Sequence, residues 1–155
     1  MPLDLAALTA PGHTALLTVE EQQDVVGEGS ILPDLARAAT EMVPNIAALA
    51  RAARAAGIPV VHCTAEHRPD RLGSSHNARL FAATSKRREL GEPGPPARAV
   101  LHPGLGAEPS DLVMPRLHGL SPLYDTGVDI ALRNMGVTTI VVTPMFLSAM
   151  STPVS

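Results

Sequence analysis

The stretch VPNIAALARAARAAGIPVVHC, residues 43–63, changes its period partway along. Up to Ala56 it reads as helix, with Ile46, Leu49, Ala53 and Ala56 spaced to share one face. Gly57 follows as a natural helix-closing residue, because glycine takes the left-handed conformation without a Cβ clash. Ile58-Pro59-Val60-Val61-His62-Cys63 is then a short run rich in β-branched residues, the pattern of a buried strand.

The helical pattern reaches back to Pro33. Pro33 and Pro44 each suit a first helical turn, where a missing N–H costs nothing. Pro44 is expected to divide this stretch into two helices or to kink one. Upstream, Thr14-Ala15-Leu16-Leu17-Thr18-Val19 is almost continuously apolar, as strands covered on both faces are. A polar turn, Glu20 to Asp24, and two glycines, Gly27 and Gly29, follow it. Strand, helix, strand in this order predicts a βαβ unit and a parallel sheet.

Downstream, residues 64–110 are less regular. Asn77 to Thr84 reads as a short helix, and Glu92 to Pro96 (EPGPP) as a loop. Asp111 to Met114 reads as a third strand. Tyr124 to Met135 reads as a helix capped by Asp125 or Thr126 and closed by Gly136. Val137 to Val142 reads as a fourth strand. No internal repeat and no second domain is visible, so residues 1–155 form one α/β domain.

Composition excludes several functions. The chain carries 12 Lys plus Arg against 15 Asp plus Glu, a net charge of −3. That is no footprint for nucleic acid or for an anionic membrane surface. No apolar run approaches the ~20 residues of a membrane span, and Met1-Pro2-Leu3-Asp4 has no signal-peptide character. One cysteine, Cys63, allows no internal disulfide and suits a reducing cytosol, so a cytoplasmic location is expected. Aromatics make up 2% of the chain, too few for a stacking platform.

Ligands of a parallel α/β sheet bind outside the carboxyl ends of its strands. Those ends carry Glu20 after the first strand, Glu66 and His67 after the second, Arg116 and His118 after the third, and Pro144 to Met150 after the fourth. Glu20 and Arg116 are placed to form a buried ion pair, catalytic or purely structural. Cys63 reads as a buried, inert thiol, and His62 beside it points to the opposite face of its strand.

The segments HTALLTVEEQQDVVG (13–27), VPNIAALARAARAAGIPVVHCTAEHRPD (43–70) and EPSDLVMPRLHGLSPLYDTGVDIALRNMGVTTIVVT (108–143) together resemble the isochorismatase-like family of cysteine hydrolases, which includes nicotinamidases. The resemblance implies a three-layer α-β-α domain around a mostly parallel, Rossmann-like sheet of six strands. It also implies a dimer or tetramer. It implies further that two strands and their helices are missing beyond the fourth strand, leaving an apolar edge that self-association would cover.

The family's triad is Asp, Lys and Cys. In the pattern V-D-x-Q-x-D, Glu20 takes the Asp position. In the pattern P-K, Arg116 of Pro115-Arg116 takes the Lys position. In the turn T-G-V-x-x-x-x-C, Met150 takes the nucleophile position and Pro144 replaces the glycine. A register shift of one would place Ala149 or Ser151 there. The resemblance implies substrate contacts at Gln22, His118, Pro144 and Met145. Nicotinamidases bind a metal through Asp-x-His and further histidines. Here Glu66 and His67 are adjacent and His76 follows nine residues later, so neither a metal nor another cofactor is expected.

Two functions follow. One is a hydrolase of small amides or vinyl ethers, weak or inactive because Met150 has no proton to lose and Arg116 does not give one up near neutral pH. The other is a non-catalytic relative that serves as a binding or assembly subunit. The expected partners of either are a small molecule and copies of the same chain, with no nucleic acid and no membrane.

Overall fold

The computed structural model describes residues 4–30, 32–75, 86 and 98–144. The readings for 77–84 and 92–96, and the positions His76, Met145, Ala149, Met150 and Ser151, lie outside these residues. The described elements are α1 (Leu5–Leu8), β1 (Thr14–Val19), α2 (Gln23–Val26), α3 (Pro33–Ala55), β2 (Val60–Ala65), β3 (Leu112–Arg116), α4 (Val128–Asn134) and β4 (Thr139–Pro144).

The four strands form one parallel sheet in the order β3-β2-β1-β4. The chain fills it outward from β1 through β2 to β3, then returns to the other side of β1 for β4. This is the opening of the 3-2-1-4 order of a Rossmann-like sheet, and its switch point lies between β1 and β4. All six β1 residues are buried, because helices cover both faces. On one face Leu16 and Val60 pack against Ala50 and Ala53 of α3. On the other, Ala15, Leu17, Val19, Val61 and Cys63 pack against Val128 and Leu132 of α4. The three-layer expectation holds.

Boundaries moved for local reasons. α3 is one helix through Pro44, not two. Its buried stripe runs Leu35, Ala39, Val43, Ile46, Ala47, Ala50 and Ala53, whereas Leu49 and Ala56 are exposed, so the expected face was rotated. β2 starts at Val60, because Pro59 has no N–H for the ladder and offers only its carbonyl, to Leu16 N at 2.9 Å. β3 runs through Arg116, two residues beyond the expected end, and β4 through Pro144. α4 starts four residues later than expected. Asp125 and Gly127 take positive φ values of 53° and 78°, which keep 124–127 out of the helix. Gly127, not Asp125 or Thr126, is the N-cap and makes no side-chain cap bond; Thr126 Oγ1 accepts Val128 N–H at 3.3 Å from one residue further back.

The sheet has two apolar rims. β4 exposes part of Ile140 and Val142, and β3 exposes part of Leu112 and Val113. Among the described residues, no helix is long and apolar enough to cross a membrane.

Pro44 is exposed in the middle of α3 and cannot donate to the carbonyl one turn back. Pro44→Ala should therefore raise unfolding stability by about 1–3 kcal/mol in urea titrations. An unchanged or lower value would show that α3 needs its proline to follow the sheet.

Candidate functional site

The carboxyl ends of β1 and β4 lie side by side, with Val19 opposite Pro144. Three consecutive polar residues leave β1 here, and all three are buried: Glu20, Glu21 and Gln22 at 8%, 1% and 1% exposure. The chain turns sharply at Glu20, whose φ is +63°, while its N–H donates to Cys63 O at 2.9 Å. A left-handed glutamate costs about 1–3 kcal/mol, and such strain is held where surrounding contacts fix it.

On the α4 face, Glu20 forms an ion pair with Arg116 from the end of β3, as expected. Arg116 Nη2 donates to Glu20 Oε1. Arg116 Nε donates to Gly119 O at 3.3 Å, and Arg116 Nη1 is buried with no partner. The pair reaches across β2, so it ties the carboxyl ends of β1 and β3 together. Cys63 lies beneath it. Burial pushes the thiol up to about 11, against the pull of the Arg116 charge, so Cys63 is the inert thiol expected.

On the α3 face, Glu21 meets Thr143, whose Oγ1 donates to Glu21 Oε1 at 3.2 Å. Glu21 Oε2 is buried and unpartnered. Burial pushes this carboxyl up to about 8, only partly offset by hydrogen bonds from its own backbone N–H and from Thr143. Thr18 lies 2.7 Å from His62 Nδ1, and His62 Nε2 lies 3.1 Å from Asp111 Oδ2. Arg54 of α3 grips Asp111 with two bonds of 2.9 and 2.7 Å. Asp111 sits well below the usual carboxylate range, at about 2: burial raises it, and the combined hydrogen bonds and charge of Arg54, Glu108 N–H and His62 outweigh that. Burial lowers His62.

Gln22 clamps strand ends together. Its Oε1 accepts Ala65 N–H at 2.6 Å and its Nε2 donates to Ala65 O at 3.1 Å. His118 Nε2 donates to Asp125 O at 3.1 Å in the loop before α4. Glu66 Oε1 accepts Ala99 N–H at 3.3 Å. Among the described residues, no three His, Cys, Asp or Glu side chains cluster to hold a metal. The sequence reading missed Glu21 and the Arg54–Asp111–His62–Thr18 chain. Its one available signal was the second of two acids directly following an apolar strand.

Glu21 gives a pH-dependent stability with a defined sign. Its carboxyl binds a proton more tightly folded, at about 8, than its ordinary 4.5. Its contribution is full below 4.5 and is lost as pH rises through about 8. The urea midpoint of the wild type should thus fall relative to that of Glu21→Gln across this window. Parallel curves would contradict a protonated Glu21. Separately, Glu20→Gln should lose about 3–5 kcal/mol by leaving the buried Arg116 charge unbalanced, while an unchanged midpoint would mean the pair is solvated.

The model of the isochorismatase domain matches residues 14–147. An isochorismatase family protein from Desulfovibrio vulgaris is 27% identical with a TM-score of 0.67, over 84% of this chain and 66% of that one. One from Burkholderia thailandensis is 25% identical with a TM-score of 0.58, over 86% and 64%. A cysteine hydrolase from Pseudomonas syringae is 23% identical with a TM-score of 0.62, over 86% and 60%, a likeness of fold. The chain thus spans about two thirds or less of these relatives' lengths. No curated relative matches. The family model runs from the first residue of β1 past the last of β4, over the sheet that carries Glu20 and Arg116, and the chain belongs to the isochorismatase domain family.

Proposed function

We propose that this chain binds a small carbonyl-bearing molecule, an amide or a vinyl ether by family, in the crevice beside Glu20 and Arg116, with hydrolysis weak or absent. The observation that carries the reading is the buried Glu20–Arg116 ion pair with its unpartnered Nη1. Buried donors without partners are rare, and at a crevice floor they mark a place for a ligand oxygen or an ordered water. Arg116 would hold that oxygen by a charge-assisted hydrogen bond.

The same pair argues against turnover. Each member is occupied by the other, and Arg116 keeps its proton near neutral pH. Met150, at the family's nucleophile position, offers a thioether in place of a thiolate. Cys63, the sole cysteine, is buried with its thiol raised to about 11. Acyl-enzyme chemistry needs an activated nucleophile, and neither residue is one. By the family resemblance His118, Pro144 and Met145 stand at ligand-contact positions, whereas the Gln22 amide is taken up by Ala65. A homo-oligomeric assembly in the cytoplasm completes this reading. The apolar rims of β3 and β4 favour assembly, and the single free cysteine favours a reducing compartment.

Ammonia release from a panel of small amides, read beside ligand-induced thermal shifts, tests this. Wild type should hydrolyse no faster than Glu20→Gln. A binding amide at about 100 times its Kd should stabilise the fold by about 2.7 kcal/mol. Turnover by the wild type that Glu20→Gln abolishes would make the chain a working hydrolase. Absence of any shift would leave assembly as its role.

A further inference from the structure

We propose that Glu21 is a neutral hydrogen-bond donor of the crevice, its Oε2–H reading the carbonyl oxygen of an uncharged ligand. The inference rests on the binding function proposed above and names a residue outside the Glu20–Arg116 pair.

The protons on this chain of side chains can be counted. Arg54 grips Asp111 with two short bonds, and Glu108 N–H adds a third at 2.8 Å, so Asp111 is a carboxylate. A carboxylate 3.1 Å from His62 Nε2 requires a proton on that nitrogen. The ring is buried and neutral, so Nδ1 is an acceptor. Thr18, 2.7 Å away, must spend its only hydroxyl proton on Nδ1. Thr18 then has no donor left for Glu21.

Among the described residues the other hydroxyl beside Glu21 is Thr143; its single proton has Glu21 Oε1 at 3.2 Å and Leu17 O at 3.4 Å within reach, and the shorter contact, to Oε1, takes it. Oε1 is therefore the acceptor oxygen, and the acid proton belongs on Oε2. An ionised Glu21 would face the Glu20 charge on one side and the lone pairs of Thr18 on another. Among the described residues Cys63 on β2 also feels the Glu21 charge, and it is itself held as a thiol. Burial and this missing donor agree in keeping Glu21 protonated near neutral pH.

Oε2 thus carries a buried donor with no partner in the structure. A carboxyl that donates through one oxygen and accepts through the other complements a primary amide, whose C=O accepts and whose N–H donates. It disfavours a carboxylate ligand near Glu20. The alternative occupant of the Oε2 donor is an ordered water with no role in recognition.

Benzamide and benzoate are suitable probes, titrated calorimetrically against the full chain from pH 6 to 9 in wild type, Glu21→Gln and Glu21→Leu. Wild type should prefer benzamide and lose about 3- to 10-fold in affinity, the range of one neutral hydrogen bond, as Glu21 ionises. Glu21→Gln, which keeps a donor and cannot ionise, should bind benzamide without that pH dependence. Glu21→Leu should bind about 3- to 10-fold more weakly throughout. Infrared difference spectra should show a protonated-carboxyl band near neutral pH that Glu21→Gln removes. Benzamide binding unaffected by Glu21→Leu, or a pH dependence that survives Glu21→Gln, would overturn the inference and leave the crevice reading intact. If Glu21→Leu does not fold, the Glu21→Gln profile decides alone. No benzamide binding by folded wild type would overturn both.

Discussion

The buried ion pair between Glu20 and Arg116 is the constraint on which the crevice depends. It joins the ends of β1 and β3 across β2, and it holds Glu20 in a left-handed conformation no glutamate prefers. Two desolvated charges rarely stabilise a fold more than apolar residues would, and removing one is costly. The pair therefore makes better sense as a fixed feature of a site than as a source of stability. It also sets the direction in which Glu21 and Gln22 leave the strand.

Two polar systems flank the sheet here, and they differ in kind. The α4 face carries opposite charges in contact. The α3 face carries a chain of bonds from Arg54 through Asp111, His62 and Thr18 toward Glu21, with only its first pair charged. His62 and Cys63 are neighbours on β2 and point to opposite faces, so each system has one of them. This division lets a protonated carboxyl and a buried carboxylate persist at consecutive positions.

Much of this was legible in the sequence. The helix–glycine–strand transition at 55–60 and the apolar run at 14–19 are local patterns, and they gave the βαβ unit and the covered β1. The Glu20–Arg116 pair was legible because strand ends converge in a parallel sheet. The rotated face of α3 was not, since alanine is small enough to sit on either side and leaves little amphipathic contrast. Gln22 was read as facing ligand, whereas its amide grips Ala65. Glu21 was hidden because its burial arises from segments far away in sequence. The backbone around 100–102 pairs with 21–23, and Thr143 arrives from β4.

The proposed function requires the charged floor at Glu20 and Arg116 to hold a ligand without covalent chemistry. Intact-mass spectrometry of the protein after incubation with activated small amides and esters tests this most directly. An unmodified mass is expected, with any slow adduct mapping to Cys63 only after denaturation. A stoichiometric acyl adduct formed by the native protein, and lost in Glu20→Gln, would contradict it.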